Sequence, residues 1–166
     1  MRHVEIHWGS NRELVTRLSE SGARFFVSGG TATRFHAPER GEPTDLDLVV
    51  EPSAEMLAKL NAALAHVGAP TITATPEEFA KADKGFPSKG VLNVDFLTPP
   101  AGVSFAEHWA AAEEAIMSWS STRVRVASIP TLELLLRIGQ EREPARAQAF
   151  AKDLELLARA APKPRP

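Results

Sequence analysis

The sequence contains no cysteine. This absence excludes disulfide bonds, a thiolate nucleophile and zinc sites with sulfur ligands. Long apolar runs are also absent, since no stretch approaches the roughly 20 residues that span a membrane. The N-terminal residues 1–5 carry no hydrophobic region of the kind found in signal peptides. We therefore expect a cytoplasmic protein with no membrane partner.

A strong net charge is lacking as well. The 166 residues carry a net charge of −2, which gives no general attraction to nucleic acid or to an anionic membrane. An RNA partner would therefore have to bind a local basic patch. The hydrophobic fraction of 43% is enough for a core. The length fits a single domain over residues 1–160, followed by a disordered tail over residues 161–166.

Two common catalytic signatures are missing. No Gly-Lys-Ser/Thr follows the glycine pair Gly29–Gly30, so a Walker-type phosphate loop is excluded. No serine lies in a Gly-x-Ser-x-Gly elbow, so no serine hydrolase triad is predicted. His3 and His7 lie four residues apart, but nothing around them supplies further zinc ligands. We expect both histidines to be ordinary surface or core residues.

Two carboxylates alternate with apolar residues in the stretch 44–50, which reads TDLDLVV. In a strand, Asp45 and Asp47 project from one face, while Leu46, Leu48 and Val50 cover the other. Two carboxylates at this spacing repel each other by roughly 1–4 kcal/mol, depending on the local dielectric. Either the strand is an exposed edge with solvated acids, or the pair has a counter-charge. A divalent cation is the leading candidate for that charge.

A second acidic strand is predicted over residues 91–97. Alternation puts Leu92, Val94 and Phe96 on one face and Asn93 with Asp95 on the other. If this strand lies beside the first, its aspartate completes a cluster of three carboxylates. Such a cluster suits one or two magnesium ions, which prefer oxygen ligands and keep waters and substrate phosphates as the rest of their shell.

A turn of small residues, Ser28-Gly29-Gly30-Thr31, follows an apolar run. Its glycines indicate a turn that requires positive φ, and they also permit backbone to approach a phosphate closely. The N-terminus of the helix predicted after them would attract anions, and Arg34 lies one turn into that helix. The basic residues that are candidates for phosphate or acceptor contacts are Arg34, Arg40, Lys84, Lys89, Arg123, Arg125, Arg137 and Lys152.

The pattern along the chain predicts an α/β (α+β) fold. It consists of a mixed β-sheet flanked by helices, with a helical C-terminal end. Strands are predicted at residues 24–28, 45–51, 91–97 and 122–127, with a short one at 71–73. Helices are predicted after a capping box at Ser10, at 32–36, after Pro52, at Pro76, from Ser104 through Ile116, at 131–142 and at 146–160. Residues 81–90 are predicted to form a basic loop.

The ordered set of Gly29-Gly30, Asp45-x-Asp47 and a later strand bearing Asp95 resembles the DNA polymerase β-type nucleotidyltransferase superfamily. Within it, the chain is most similar to the small stand-alone bacterial nucleotidyltransferases, several of which belong to toxin–antitoxin systems. The C-terminal stretches 129–135 and 152–157 resemble the tail helices of that group. The resemblance spans residues 24–160.

The resemblance implies a metal-dependent transfer of a nucleoside monophosphate from an NTP to a hydroxyl acceptor. That acceptor is a tRNA, a protein or a small molecule such as an aminoglycoside. Asp45 and Asp47 would hold magnesium against the triphosphate, and Asp95 would ligate a second ion and help to deprotonate the acceptor. The Ser28–Gly30 turn would position the phosphates, and Lys152 in the tail would contact them.

The chain departs from the family pattern at two places. Gly139 stands where many relatives have a lysine, with Arg137 nearby. Residues 40–44 match the usual approach to the aspartate pair only loosely. The first departure favours a competing hypothesis, in which the chain is a catalytically inactive member of this fold. It would then act as a binding module or as a toxin–antitoxin component with a cognate partner protein, while retention of all three aspartates favours an enzyme.

Overall fold

The computed structural model describes residues 1–163. Residues 164–166, the end of the predicted disordered tail, lie outside the described residues. The strands within the described part are β1 (His3–Val4), β2 (Phe25–Ser28), β3 (Leu46–Val50), β4 (Gly85–Lys89), β5 (Asn93–Leu97), β6 (Glu113–Met117) and β7 (Arg123–Val126). The helices are α1 (Gly9–Glu20), α2 (Gly29–His36), α3 (Ala54–His66), α4 (Pro76–Phe79), α5 (Phe105–Ala111), α6 (Ile129–Arg142) and α7 (Ala147–Ala160).

The strands of residues 1–163 form one mixed sheet with the order β1-β6-β7-β2-β3-β5-β4. At its centre, β3 runs antiparallel to β2 and parallel to β5. Strand β4 ends the sheet by antiparallel pairing with β5. This order places the two acidic strands side by side and makes β3 a central strand, which confirms the predicted α/β architecture.

The sheet buries the apolar members of the acidic strands. Leu46, Leu48 and Val50 of β3 are buried, as are Val94 and Phe96 of β5. Because side chains alternate along a strand, the acidic residues between them face the other side of the sheet. On that side, α2 packs against both α6 and α7. The helical C-terminal end therefore lies next to the residues that follow β2.

Most helices begin where a side chain can cap them. Ser53, Thr75, Ser104 and Ser128 each accept a hydrogen bond from a backbone N–H in the first turn of α3, α4, α5 and α6. The capping box predicted at Ser10 is wrong. Helix α1 already begins at Gly9, so that serine lies inside the first turn. None of the described helices is long and apolar enough to cross a membrane.

Three other local predictions are wrong. The predicted basic loop contains β4, an edge strand in which Pro87 is tolerated because a missing N–H matters least at an edge. Ile116, predicted at the end of a helix, lies in β6, because α5 ends at Ala111 and the chain then pairs with β7. Residues 71–73 form no strand in the described structure.

Candidate active site

Two carboxylates and a hydroxyl form a row across the centre of the sheet. Ser28 at the end of β2 is the register partner of Asp47 on β3, and Asp47 is the register partner of Asp95 on β5. Carboxylate oxygens of Asp45, Asp47 and Asp95 lie within 4.8 Å of one another. The structure therefore brings together the three carboxylates that the strand pattern predicts. The alternative of solvated acids on an edge strand does not fit a central strand.

Burial and mutual repulsion perturb this acidic cluster. Burial raises the pKa of Asp47 to about 7, and the charges of Asp45 and Asp95 add to the effect. Burial is also the main cause of the raised pKa of Asp95. A hydrogen bond with Asp45 adds to that rise, and Lys89 opposes it. The folded chain thus holds negative charge where water solvates it poorly, which is an arrangement that favours a bound cation.

Lys89 supplies one positive charge to the acidic cluster. Its Nζ lies 3.0 Å from Asp95 Oδ2 and 3.5 Å from Asp45 Oδ2. Strand pairing positions it, since Lys89 is the register partner of Asn93, two residues before Asp95. The sequence suggests Lys89 only as one of several basic candidates, because its place beside the aspartates depends on the β4–β5 pairing.

The glycine turn lies directly against the acidic cluster. Gly29 has a φ of 58°, and a Cβ at this position would lie 2.0 Å from Asp47 Oδ2. The predicted need for positive φ therefore applies to Gly29, and Gly30 is not among the positive-φ glycines. Helix α2 begins at Gly29, so its unpaired N–H groups lie next to the aspartates. Ser28, just before the helix, is buried.

Arg40 anchors the loop after α2 to the C-terminal helices. Its Nε donates to Asp153 Oδ1 at 3.1 Å and its Nη2 donates to Asp153 Oδ2 at 3.3 Å. Both side chains are largely buried, with 25% and 13% exposed. The guanidinium also covers Gly30, where a Cβ would lie 2.9 Å from Arg40 Cζ. Asp153 therefore holds Arg40 in place.

A cleft with a volume of about 520 Å³ extends from the aspartates to the C-terminal helices. Its polar end contains Ser28, Gly29, Asp47 and Asp95. The basic residues of its lining are Lys84, Arg142 and Arg146. The apolar lining is formed by Val49, Leu97, Leu132, Leu135, Leu136, Ile138 and Phe150.

Two predicted nucleotide contacts lie elsewhere. Lys152 is exposed on α7, and Arg34 is half-buried on α2. Neither side chain is part of the cleft lining. Lys152 and Arg34 as phosphate contacts therefore stay predictions. Sequence reasoning missed Arg142 and Arg146, which no motif marks and which reach the cleft only through the packing of α6 and α7.

The glycine that replaces the relatives' lysine has a packing role in this chain. A Cβ on Gly139 would lie 2.9 Å from Cε2 of Phe150, so the ring on α7 packs directly on the backbone of α6. The guanidinium of Arg146 packs on the Phe150 ring as well, with its Cζ 4.9 Å from the ring centre. Arg142 forms an ion pair with Asp83, which ties the end of α6 to the segment before β4.

The acidic cluster fits a hard divalent cation. All three donors are carboxylates, and the chain offers no sulfur ligand. Within residues 1–163, this is the one group of three or more acidic or histidine side chains with converging ligand atoms. Asp45, Asp47 and Asp95 are therefore the residues that would hold a metal ion.

Comparison with known proteins supports the fold. No protein-family model matches the chain, and no curated protein matches it. Among solved structures, it is similar to ANT(2″)-Ia in complex with adenylyl-2″-tobramycin, with a TM-score of 0.57 and 15% identity. That match covers 90% of this chain and 86% of the other. The solution structure of the antibiotic-resistance factor ANT(2″)-Ia gives a TM-score of 0.58 at 16% identity, covering 91% and 88% of the two chains.

A third similar structure is an antigenic nucleotidyltransferase-like protein from Paracoccidioides brasiliensis. It gives a TM-score of 0.55 at 12% identity and covers 95% of this chain and 78% of the other. These identities are low, and the likeness extends over nearly the whole chain in each case. The chain therefore has the nucleotidyltransferase fold, in agreement with the resemblance seen in its motifs.

Proposed function

We propose that the chain is a metal-dependent nucleotidyltransferase, which transfers a nucleoside monophosphate from an NTP to a hydroxyl acceptor. The observation that carries the proposal is the convergence of Asp45, Asp47 and Asp95, of which Asp47 and Asp95 line the polar end of a cleft. This cleft lies in a fold whose solved neighbours are nucleotidyltransferases. A structural cluster would not need to lie at the polar end of a cleft with basic residues in its lining.

Magnesium is the cation that we assign to Asp45, Asp47 and Asp95. When bound, it would neutralise charge on the triphosphate and stabilise the oxygens that attack and leave. Asp47 and Asp95 are held on neighbouring strands and Asp45 immediately precedes β3, so their positions are fixed before substrate binds. This rigidity reduces the reorganisation that the reaction requires.

The remaining residues of the cleft have separate roles in the proposal. The N–H groups at the start of α2 and the hydroxyl of Ser28 donate to phosphate oxygens. Arg142, Arg146 and Lys84 surround the triphosphate with positive charge. Asp95, whose pKa burial raises, accepts the proton of the attacking hydroxyl. The apolar wall around Phe150 takes the base or ribose of the nucleotide.

The resemblance to the superfamily leaves three acceptor classes open: tRNA, protein and small molecules with hydroxyl groups. The aminoglycosides belong in the test because a similar structure contains adenylyl-2″-tobramycin. The association with a toxin or antitoxin protein is a further hypothesis, which the identity of the neighbouring gene would address.

The experiment is incubation with each α-labelled NTP and magnesium, in the presence of total RNA, lysate protein or an aminoglycoside. We expect label on one acceptor class with wild type and none with Asp47→Asn. The exposed control Glu77→Gln should label as wild type does. If the wild type binds NTP and transfers nothing to any acceptor, the inactive binding module replaces this proposal. Binding of neither NTP nor metal would contradict both.

A further inference from the structure

The position of Lys89 determines how much cationic charge the acidic cluster still needs. Its ammonium group bridges Asp95 at 3.0 Å and Asp45 at 3.5 Å. It therefore lies between the carboxylates at the outer side of the cluster. Asp47, the most deeply placed carboxylate, forms no ion pair with it within 4.0 Å among the described residues.

The charges of the cluster can be added directly. Three ionised carboxylates give −3, and the ammonium of Lys89 gives +1, so the sum is −2. One divalent cation neutralises that sum, whereas two would leave an excess of positive charge before the nucleotide arrives. An ammonium group next to two carboxylates also takes up the space and the lone pairs that a second ion would use.

The backbone holds Lys89 at this place. Strand β4 pairs with β5 over five register partners, from Gly85 with Leu97 to Lys89 with Asn93. The lysine is the last residue of β4, so its Cα is fixed by the sheet. The side chain is 48% exposed, which leaves its outer part open to solvent.

We propose that Lys89 occupies one of two cation positions in the acidic cluster, so that the site binds one divalent ion in place of two. The inference rests on the proposed function, since it takes the cluster to be the metal site. It assigns Lys89 a positioning role: the ammonium holds Asp45 and Asp95 together and leaves Asp47 with Asp45 as the main ligands of the single ion.

The test is the stoichiometry of Mn²⁺ binding, measured by electron paramagnetic resonance in the absence of nucleotide. We expect wild type to bind one Mn²⁺ per chain and Lys89→Met to bind two. Lys81→Met, an exposed lysine outside the cleft, should bind one as wild type does. Two ions in wild type, or one ion in both wild type and Lys89→Met, would overturn the inference and leave the proposed function intact. No binding by either protein would overturn both.

A second measurement does not depend on metal at all. In excess chelator, Lys89→Met leaves Asp45 and Asp95 without their counter-charge, so we expect a lower melting temperature than for wild type. Adding Asp95→Asn to that variant should recover much of the loss, because the repulsion is then removed. Lys89→Gln serves in the same design if the methionine variant fails to fold. An unchanged or higher melting temperature for the single variant would contradict the counter-ion role.

Discussion

Asp47 is the residue at which folding and metal binding compete. An unperturbed aspartate titrates near 3.8, whereas burial and two neighbouring carboxylates raise the pKa of Asp47 to about 7. Between these values the folded chain binds more protons than the unfolded chain. The metal-free protein should therefore lose stability as pH rises from about 4 to about 7, by an amount on the order of a few kcal/mol.

Asp47→Asn should remove that dependence. We expect the variant to be more stable than wild type at pH 8 in chelator and close to wild type at pH 4. Urea denaturation at the two pH values measures the difference. Magnesium should stabilise wild type at pH 8 and have little effect on the variant. A variant less stable than wild type at pH 8 would mean that the carboxylate has a structural hydrogen-bonding role.

The two adjacent glycines of the turn differ in what a methyl group would meet. At Gly29, alanine would combine a positive φ with a Cβ 2.0 Å from the Asp47 carboxylate. We expect Gly29→Ala to lose at least about 1–3 kcal/mol of stability. At Gly30, the obstacle is the guanidinium of Arg40, a side chain that can shift, so the loss should be smaller. Thermal unfolding compares the two variants. Gly41→Ala, where nothing lies within 4 Å, is the control.

At the scale of helices and strands, the close contact between α6 and α7 depends on Gly139, which has no side chain. Glycine inside a helix normally costs about 1 kcal/mol relative to alanine. We expect Gly139→Ala to destabilise the protein all the same, because its Cβ would meet the Phe150 ring at 2.9 Å. In the double variant with Phe150→Leu, the alanine should become neutral or favourable. Chemical denaturation of the four proteins completes the cycle. A stabilising Gly139→Ala on its own would show that the ring moves freely.

The central strands could be predicted from the sequence, and the edge strand could not. Apolar and polar residues alternate over residues 46–50 and 93–97, and this period of two predicts a strand without any tertiary information. Strand β4 contains glycine, proline and a terminal lysine, so its sequence lacks the alternation of apolar and polar residues that would predict a strand. Strand β6 follows α5 with only Ala112 between them, so no breaker marks the change. The three aspartates were identified for the same reason as their strands. Arg142 and Arg146 were not, since only packing brings them to the cleft.

At the scale of the whole molecule, two ion pairs hold the C-terminal helices against the rest of the chain. Arg40 with Asp153 joins α7 to the loop after α2, and Arg142 with Asp83 joins α6 to the segment before β4. The first is largely buried and bidentate, so it should contribute more than an exposed pair. The cleft lies between the parts that these pairs connect.

Asp153→Asn should therefore loosen one side of the cleft. We expect faster hydrogen exchange in α7 and weaker NTP binding, by about tenfold for each 1.4 kcal/mol lost, with Mn²⁺ binding unchanged. Exchange measured by mass spectrometry and calorimetric titration provide the two readouts. Glu155→Gln, an exposed change on the same helix, is the control. Weakened Mn²⁺ binding in Asp153→Asn would indicate that α7 supports the acidic cluster itself.

The acidic cluster forms only when β3 and β5 pair in parallel with the native register. Asp47 and Asp95 become partners only when β5 pairs directly with β3, although α3, α4 and β4 separate the two strands along the sequence. A slip of one residue would put Val94 or Phe96 beside Asp47 and turn Asp95 into the core. Such a misfolded chain keeps its secondary structure, but its acidic cluster lacks the carboxylate of Asp95. During refolding, the ability to bind Mn²⁺ should thus arise after the helical signal, as a late and sensitive marker of native topology.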